Sequence, residues 1–236
     1  MKCKNCNTDL SSNFCSNCGQ RSSVNKVTFA ETFQDFVDAT FSFNAPLIRT
    51  TKLLFINPGK LFNDYLNGKR KSYYKPVSFF IITTLIYVII RSIIDYNPMT
   101  TAGVNVDGKI LEDAGQFMVK NINNIMFLFV FTLAFFLKLL FYKRNSFAEF
   151  IAISFYAIGV YTLIGLVSMF FLKHIGQQYK SIPIFIFLFY VLFAFASFFN
   201  SKSFATIIKL LFAYFLSFLL YSGFGFLLSL LIVWLK

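Results

Sequence analysis

Five long apolar runs fill the C-terminal two-thirds of the chain, and almost no charge interrupts them. They cover 77–94, 122–142, 150–172, 182–199 and 207–235. A membrane helix needs about 20 mostly apolar residues, so each run predicts one crossing. The last run is longer than a perpendicular crossing requires, and it predicts a helix that tilts or bends near Gly223 and Gly225. Split in two, each half would fall short of a crossing. No Asp or Glu lies within any run, whereas Arg91, Lys138 and Lys209 sit near run ends, where long side chains reach the headgroups. Arg91 can also pair with Asp95 one turn on. The third run is the most polar, with Ser154, Tyr156, Gly159, Tyr161, Thr162, Gly165 and Ser168. Small and hydroxyl residues let helices approach closely in lipid, so packing is the first reading and a solute path the second.

Ahead of these runs the apolar positions recur at helical spacing in shorter pieces. Thr28 and Glu31 form a capping box before Phe29, Phe33, Phe36 and Val37, which predicts an amphipathic helix over 28–40. Pro46 is placed to start a second, with Leu47, Ile48, Leu54 and Phe55 on its apolar side. Pro58 opens a third carrying Leu61, Phe62, Tyr65 and Leu66, closed by Gly68. Such helices lie at the membrane surface or against a bundle. A basic, aromatic stretch then leads into the first long run. Its Lys69, Arg70, Lys71 and Lys75 are candidate contacts to anionic lipid headgroups, each worth about 1 kcal/mol near the surface. Topology anchoring alone also accounts for them. Tyr73 and Tyr74 suit the aromatic belt.

Composition agrees. The chain has 236 residues, mean hydropathy +0.64, 57% hydrophobic and 14% charged residues, far to the membrane side of a soluble domain. Its 35 phenylalanines exceed what one core of this size uses. A net charge of +12 would point to nucleic acid in a soluble protein. Here the cations cluster beside apolar runs. Eleven Lys and Arg precede the first run and Lys143–Arg144 follow the second, which predicts a cytoplasmic N-terminus and, after five crossings, a C-terminus outside. Lys173 and Lys180 dissent mildly. Residues 1–20 have no apolar core or cleavage site, so no secretory signal is expected.

All four cysteines lie in the first eighteen residues. Cys3, Cys6, Cys15 and Cys18 read C-x2-C-x8-C-x2-C. Each C-x2-C places two thiolates on one tight knuckle, and two knuckles complete a tetrahedral site for a structural zinc ion with no open position. Gly19 supplies the positive φ such a knuckle often needs. Disulfides are disfavoured in a reducing cytoplasm, and a redox C-x-x-C belongs to a βαβ setting absent here. An iron–sulfur cluster also accepts four thiolates, and metal analysis separates it from zinc. A module of about 20 residues buries too little to fold without its ion. Lys2, Lys4, Arg21 and Lys26 with the lone Phe14 make a thin basic surface, so a protein contact or a structural cap is favoured over nucleic acid.

The expected architecture is therefore an all-α integral membrane protein. About five transmembrane helices (77–236) follow a small four-cysteine zinc ribbon (1–22) and interfacial amphipathic helices with a polybasic end (23–76). The ribbon, with Phe14-Cys15-Ser-Asn-Cys18-Gly19-Gln20, resembles the head of bacterial proteins in domain-of-unknown-function family 3667. Pro58-Gly59-Lys60, followed by Tyr65 to Gly68, Lys69 to Lys71 and Tyr74-Lys75-Pro76, resembles that family's second motif. The resemblance implies a bacterial inner-membrane protein of five-span, Yip-type architecture, and it implies no activity.

Three function classes meet this pattern. A non-enzymatic scaffold or adaptor is the leading expectation, with membrane lipids and a cytoplasmic protein as partners. A transporter or channel for a small or lipid-like solute is the alternative. An enzyme is not expected, because one histidine (His174) and scattered acids assemble no catalytic set.

Overall fold

The computed structural model describes residues 1–23, 47–94, 96, 108–175, 182–201 and 203–235. Its regular structure is helical, with two isolated β-bridges in the N-terminal module. The helix expected over 28–40 and the Asp95 partner expected for Arg91 lie outside the described residues.

The helices are α1 (Leu47–Ile56), α2 (Pro58–Leu66), α3 (Pro76–Ile94), α4 (Lys109–Lys120), α5 (Ile122–Leu140), α6 (Phe147–Ile175), α7 (Ile182–Phe198) and α8 (Phe204–Trp234). Each of the five apolar runs falls on one helix. Among the described residues three helical segments are long and apolar enough to cross a membrane: Arg70–Ile94, Phe147–Lys173 and Phe204–Trp234. The apolar parts of α5 and α7, Met126–Leu140 and Ile182–Phe198, are shorter. The final run is one continuous helix of 31 residues. At about 1.5 Å per residue it outreaches a hydrocarbon core of about 30 Å.

Helix α6 is the centre of the bundle. Residues 148–160 are buried on every side, against α3, α5 and α7. Its glycines serve that packing. A Cβ at Gly159 would sit 2.6 Å from the Phe79 ring of α3, and one at Gly165 would sit 3.2 Å from Tyr87. The outer helices carry wide apolar faces. Leu85, Ile89 and Ile93 of α3 are exposed, as are Phe185, Phe189 and Phe193 of α7 and Phe212, Leu219 and Leu227 of α8. Water does not tolerate a contiguous belt of this kind; lipid does.

The five apolar helices alternate in direction. Phe141, at the end of α5, stacks on Phe199, just past the end of α7, with centroids 4.3 Å apart. Arg144, ahead of α6, donates to the Phe199 carbonyl at 3.2 Å. At the opposite end Lys173 of α6 donates to the Ile94 carbonyl of α3 at 2.8 Å. The N-terminal module, α1, α2 and the turns at 141–146 and 199–201 thus gather at one end, and the end of α3 lies at the other. Lys138 bends back to cap the carbonyls of Tyr142 and Asn145 at 2.6 and 2.8 Å.

Two departures stand out. Helix α4 falls between the first two apolar runs, a stretch for which the sequence predicted no element, and it packs along α8. Its Ile110, Leu111, Ala114, Phe117 and Met118 carry a helical period between acidic neighbours, and Ala114 is fully buried. In α1 the inward positions are Thr50 and Leu54, whereas Ile48 is 85% exposed. Ile48 lies too far round the helix from Leu54 to share its face.

Candidate metal centre and its docking on the connector

The first 23 residues are two copies of one hairpin, offset by twelve positions. In the first copy Asn7 N–H donates to Cys3 C=O at 2.9 Å and Cys3 N–H donates to Thr8 C=O at 2.9 Å. In the second, Gly19 N–H donates to Cys15 C=O at 2.8 Å and Cys15 N–H donates to Gln20 C=O at 2.7 Å. The bridges Lys2–Asp9 and Phe14–Arg21 obey the same offset. Asn7 (φ 62°) and Gly19 (φ 67°) are the paired left-handed residues. Asn is the non-glycine residue that tolerates this region best, so both copies make the same turn. The repeat was legible in Cys-Lys-Asn-Cys and Cys-Ser-Asn-Cys but is not apparent from cysteine counting alone.

The two turns face their sulfurs together. All four Sγ atoms lie within 4.8 Å of one another. Cys3 Sγ is 3.7 Å from Cys18 Sγ, and Cys6 Sγ is 3.6 Å from Cys15 Sγ. A metal–sulfur length of about 2.3 Å gives a tetrahedron with sulfur–sulfur edges of about 3.8 Å, so the cage fits a thiolate-bound ion. Cys3 and Cys15 are buried while Cys6 and Cys18 are partly open, again in register. The Thr8 hydroxyl and backbone N–H lower the Cys6 thiol to about 6. Desolvation pushes Cys18 up to about 11. An ion bound here would supply charge and four cross-links to a module with almost no core of its own.

The module does not float. It sits on the connector 67–75 between α2 and α3. Gln20, only 6% exposed, donates from Nε2 to Gly68 C=O at 2.7 Å and accepts from Lys71 N–H at 3.1 Å. Ser72 Oγ donates to Asn5 Oδ1 in the other hairpin. The connector makes one short 3-10 turn, Arg70–Ser72, and otherwise relies on side chains for its hydrogen bonds. Thr50 of α1 accepts from Tyr74 N–H at 2.9 Å. Tyr156 of α6 donates to Tyr74 C=O. Asp64 of α2 accepts from Lys69 at 3.0 Å on one oxygen and from Tyr73 at 2.7 Å on the other. Burial alone would raise the Asp64 pKa, but these two donors outweigh it and hold the carboxyl below its ordinary range.

The four cations predicted to meet headgroups are engaged unequally. Lys69 is paired with Asp64, and the Arg70 guanidinium lies 5.9 Å from the Tyr65 ring centroid. Lys71 packs against Gly19, and Lys75 is half-buried. Three further cations, Arg49, Lys52 and Lys60, reach the same region from α1 and α2. They were not singled out in the sequence, because they lie on different predicted elements.

Helix α2 supports the connector from below. Pro58 opens it, and Asn57 caps it by accepting from Lys60 N–H at 3.1 Å. Gly59 lets it cross α7 at backbone contact, since a Cβ there would overlap the Ser197 carbonyl carbon and Oγ. Asn63 closes the crossing with a bond to Phe198 C=O at 3.3 Å. Phe62 and Tyr65 then stack around the fully buried Tyr156, with centroids 6.1 and 5.7 Å away.

These features define a class: a helical membrane protein headed by a four-cysteine module that can hold a metal ion. Residues 45–88 match the model of a family described as "Protein of unknown function (DUF3667)". The match takes in α1, α2, the connector and most of α3, so the resemblance of the second motif is shown there; the cysteine hairpins lie outside it. No curated protein and no solved structure matches the chain.

Proposed function

We propose that this protein is a non-enzymatic scaffold of the bacterial inner membrane, and that its N-terminal module is a zinc ribbon clamping the connector ahead of the first crossing. The observation that carries the proposal is the Gln20 amide, which brackets Gly68 and Lys71 with both its donor and its acceptor. A buried amide spent in this way on a distant backbone is a docking contact. The outer face of the ribbon, where Arg21 lies over the exposed Phe14 ring at 5.8 Å, is left for a cytoplasmic protein partner.

All five apolar helices cross in this scheme, with α5 and α7 as the short spans. Their alternating direction supports termini on opposite sides, and the cations Lys69, Lys138, Arg144 and Lys209 at the ribbon end support the N-terminus as the inner one. The packing use of Gly159 and Gly165 favours a scaffold over a solute path along α6.

The test compares wild type with Cys15→Ser/Cys18→Ser at equal membrane abundance. Metal content, in-cell crosslinked partners and hydrogen exchange over 66–76 are measured. Stoichiometric zinc, together with faster exchange and lost partners in the variant, is the expected result. Full exchange protection without metal would refute the clamp, and an unchanged partner set would refute the adaptor role.

A further inference from the structure

A second feature of the ribbon end is not used by the scaffold. A cleft of about 470 Å³ opens between α1, α2, the connector and the first cysteine hairpin. Four cations line it: Arg49 and Lys52 from α1, Lys60 from α2 and Lys69 from the connector. Its one carboxylate, Asp64, is already spent on Lys69 and Tyr73, with one oxygen for each. Among the described residues no carboxylate lies within ion-pair distance of Arg49, Lys52 or Lys60, although Asp64 also feels Lys60 at longer range. Among the described residues the lining thus holds four cations against one carboxylate, a net excess of three positive charges around one concavity. Like charges held together cost stability unless something negative joins them.

The arrangement is also built rather than incidental. The Arg49 guanidinium lies over the Tyr73 ring at 5.6 Å, and Tyr73 is itself fixed by Asp64. Asn5 and Ser72, bonded to each other, form the wall on the hairpin side. The volume falls within the range of small-ligand sites. Tyr73 is three residues ahead of the start of α3, so the cleft stands at the height of the lipid headgroups if α3 crosses the membrane.

We infer that this cleft binds a phosphate group, with Arg49, Lys52 and Lys60 as its ligands and Lys69 as a positioned fourth. A net excess of three positive charges matches a phosphomonoester dianion better than a single carboxylate. A planar guanidinium beside two ammonium groups is the usual set for phosphate oxygens. Leu53 and Ile56 line the same cleft and offer apolar contact to whatever carries the phosphate. An acidic lipid headgroup and a soluble phosphomonoester share this chemistry.

The full chain, placed in phosphatidylcholine nanodiscs, is titrated by calorimetry with inorganic phosphate, glycerol 3-phosphate and dihexanoyl phosphatidic acid. Saturable binding of at least one probe is expected. Lys52→Gln/Lys60→Gln should weaken it by about tenfold or more, since two charged hydrogen bonds are lost. Lys2→Gln/Lys143→Gln removes the same charge from exposed sites outside the cleft and should change it by less than about threefold. Both pairs are exposed, so folding is not at stake, and Lys52→Arg/Lys60→Arg should restore binding. Tighter binding of the short-chain lipid than of the two soluble probes would mark a headgroup site; comparable binding would mark a soluble phosphate ester. Absence of saturable binding by all three probes, or equal weakening by the two Gln pairs, overturns the inference.

Discussion

Replacing Gln20 by Ala isolates the contact that joins the cysteine module to the membrane bundle. The substitution leaves all four sulfurs and both turns in place. It deletes the bond to Gly68 C=O at 2.7 Å and the bond from Lys71 N–H at 3.1 Å. The Gly68 carbonyl is buried, so it loses a partner that water cannot readily replace, at about 1–3 kcal/mol. Lys71 is exposed and its N–H can be rehydrated, so its loss is nearer the ordinary net value of about 1 kcal/mol. Together the docking equilibrium should weaken by about 2–4 kcal/mol, a roughly 30- to 800-fold rise in the undocked population. Hydrogen exchange reads this directly. The Lys71 amide should exchange faster by a similar factor in Gln20→Ala, while metal content and the protection of α6 are unchanged. Ser16→Ala, on an exposed position of the same hairpin, serves as the control and should do nothing. If Lys71 in Gln20→Ala exchanges at the wild-type rate, the module is not held by this amide and the clamp is wrong.

Three other outcomes follow from the same geometry. Gly59→Ala drives a methyl into the Ser197 backbone, which no rotamer change relieves; a loss of about 1–3 kcal/mol or more is expected in thermal unfolding in detergent, and an unchanged midpoint would mean that α2 does not cross α7 there. Tyr156→Phe keeps the ring among Phe62, Tyr65 and Phe79 but orphans the Tyr74 carbonyl, costing about 1–3 kcal/mol, whereas Tyr156→Ala should cost about 3–5; equal effects in the same unfolding assay would show that the hydroxyl is idle. An ion binds thiolate rather than thiol, and desolvation pushes the Cys18 thiol up to about 11, so metal binding at neutral pH must expel at least that proton. Apparent affinity should then climb by about tenfold or more per pH unit between about 7 and 10, as read by chelator competition; a flat profile would sink the thiolate cage.

Much of this was visible in the chain, and what was not has a common cause. Cysteine spacing predicted the cage because each C-x2-C is a local turn, and Gly19 took its positive φ for the same local reason. Pro58 and Gly68 marked the bounds of α2 through backbone constraints that act within a few residues. The long apolar runs located their helices to within a few residues, because hydropathy is a local sum. Helix α4 was missed because its apolar positions are few and interleaved with Glu112, Asp113 and Gln116, so window averages hid the period. The docking of the module was illegible for a different reason. Gln20 and Gly68 are 48 positions apart, and nothing in either residue's neighbourhood signals the other. The cleft cations lie on α1, α2 and the connector, so only the fold brings Arg49, Lys52, Lys60 and Lys69 together.

The location of the family match gains physical sense from this. Residues 45–88 hold the points at which separate parts of the molecule meet. Gly59 is where α2 touches α7, Tyr74 is where α1 and α6 both grip the connector, and Gly68 and Lys71 are where the cysteine module lands. Arg49, Lys52, Lys60 and Lys69 fall in the same stretch. A substitution at any of these positions must satisfy two elements at once, whereas the exposed faces of α7 and α8 need only remain apolar. Phe189 can become Leu with little consequence for packing, but Gly59 has no substitute that spares the Ser197 backbone. Sequence specificity is therefore concentrated ahead of the first crossing, where the cysteine module, the cleft and the bundle share one short, irregular piece of chain.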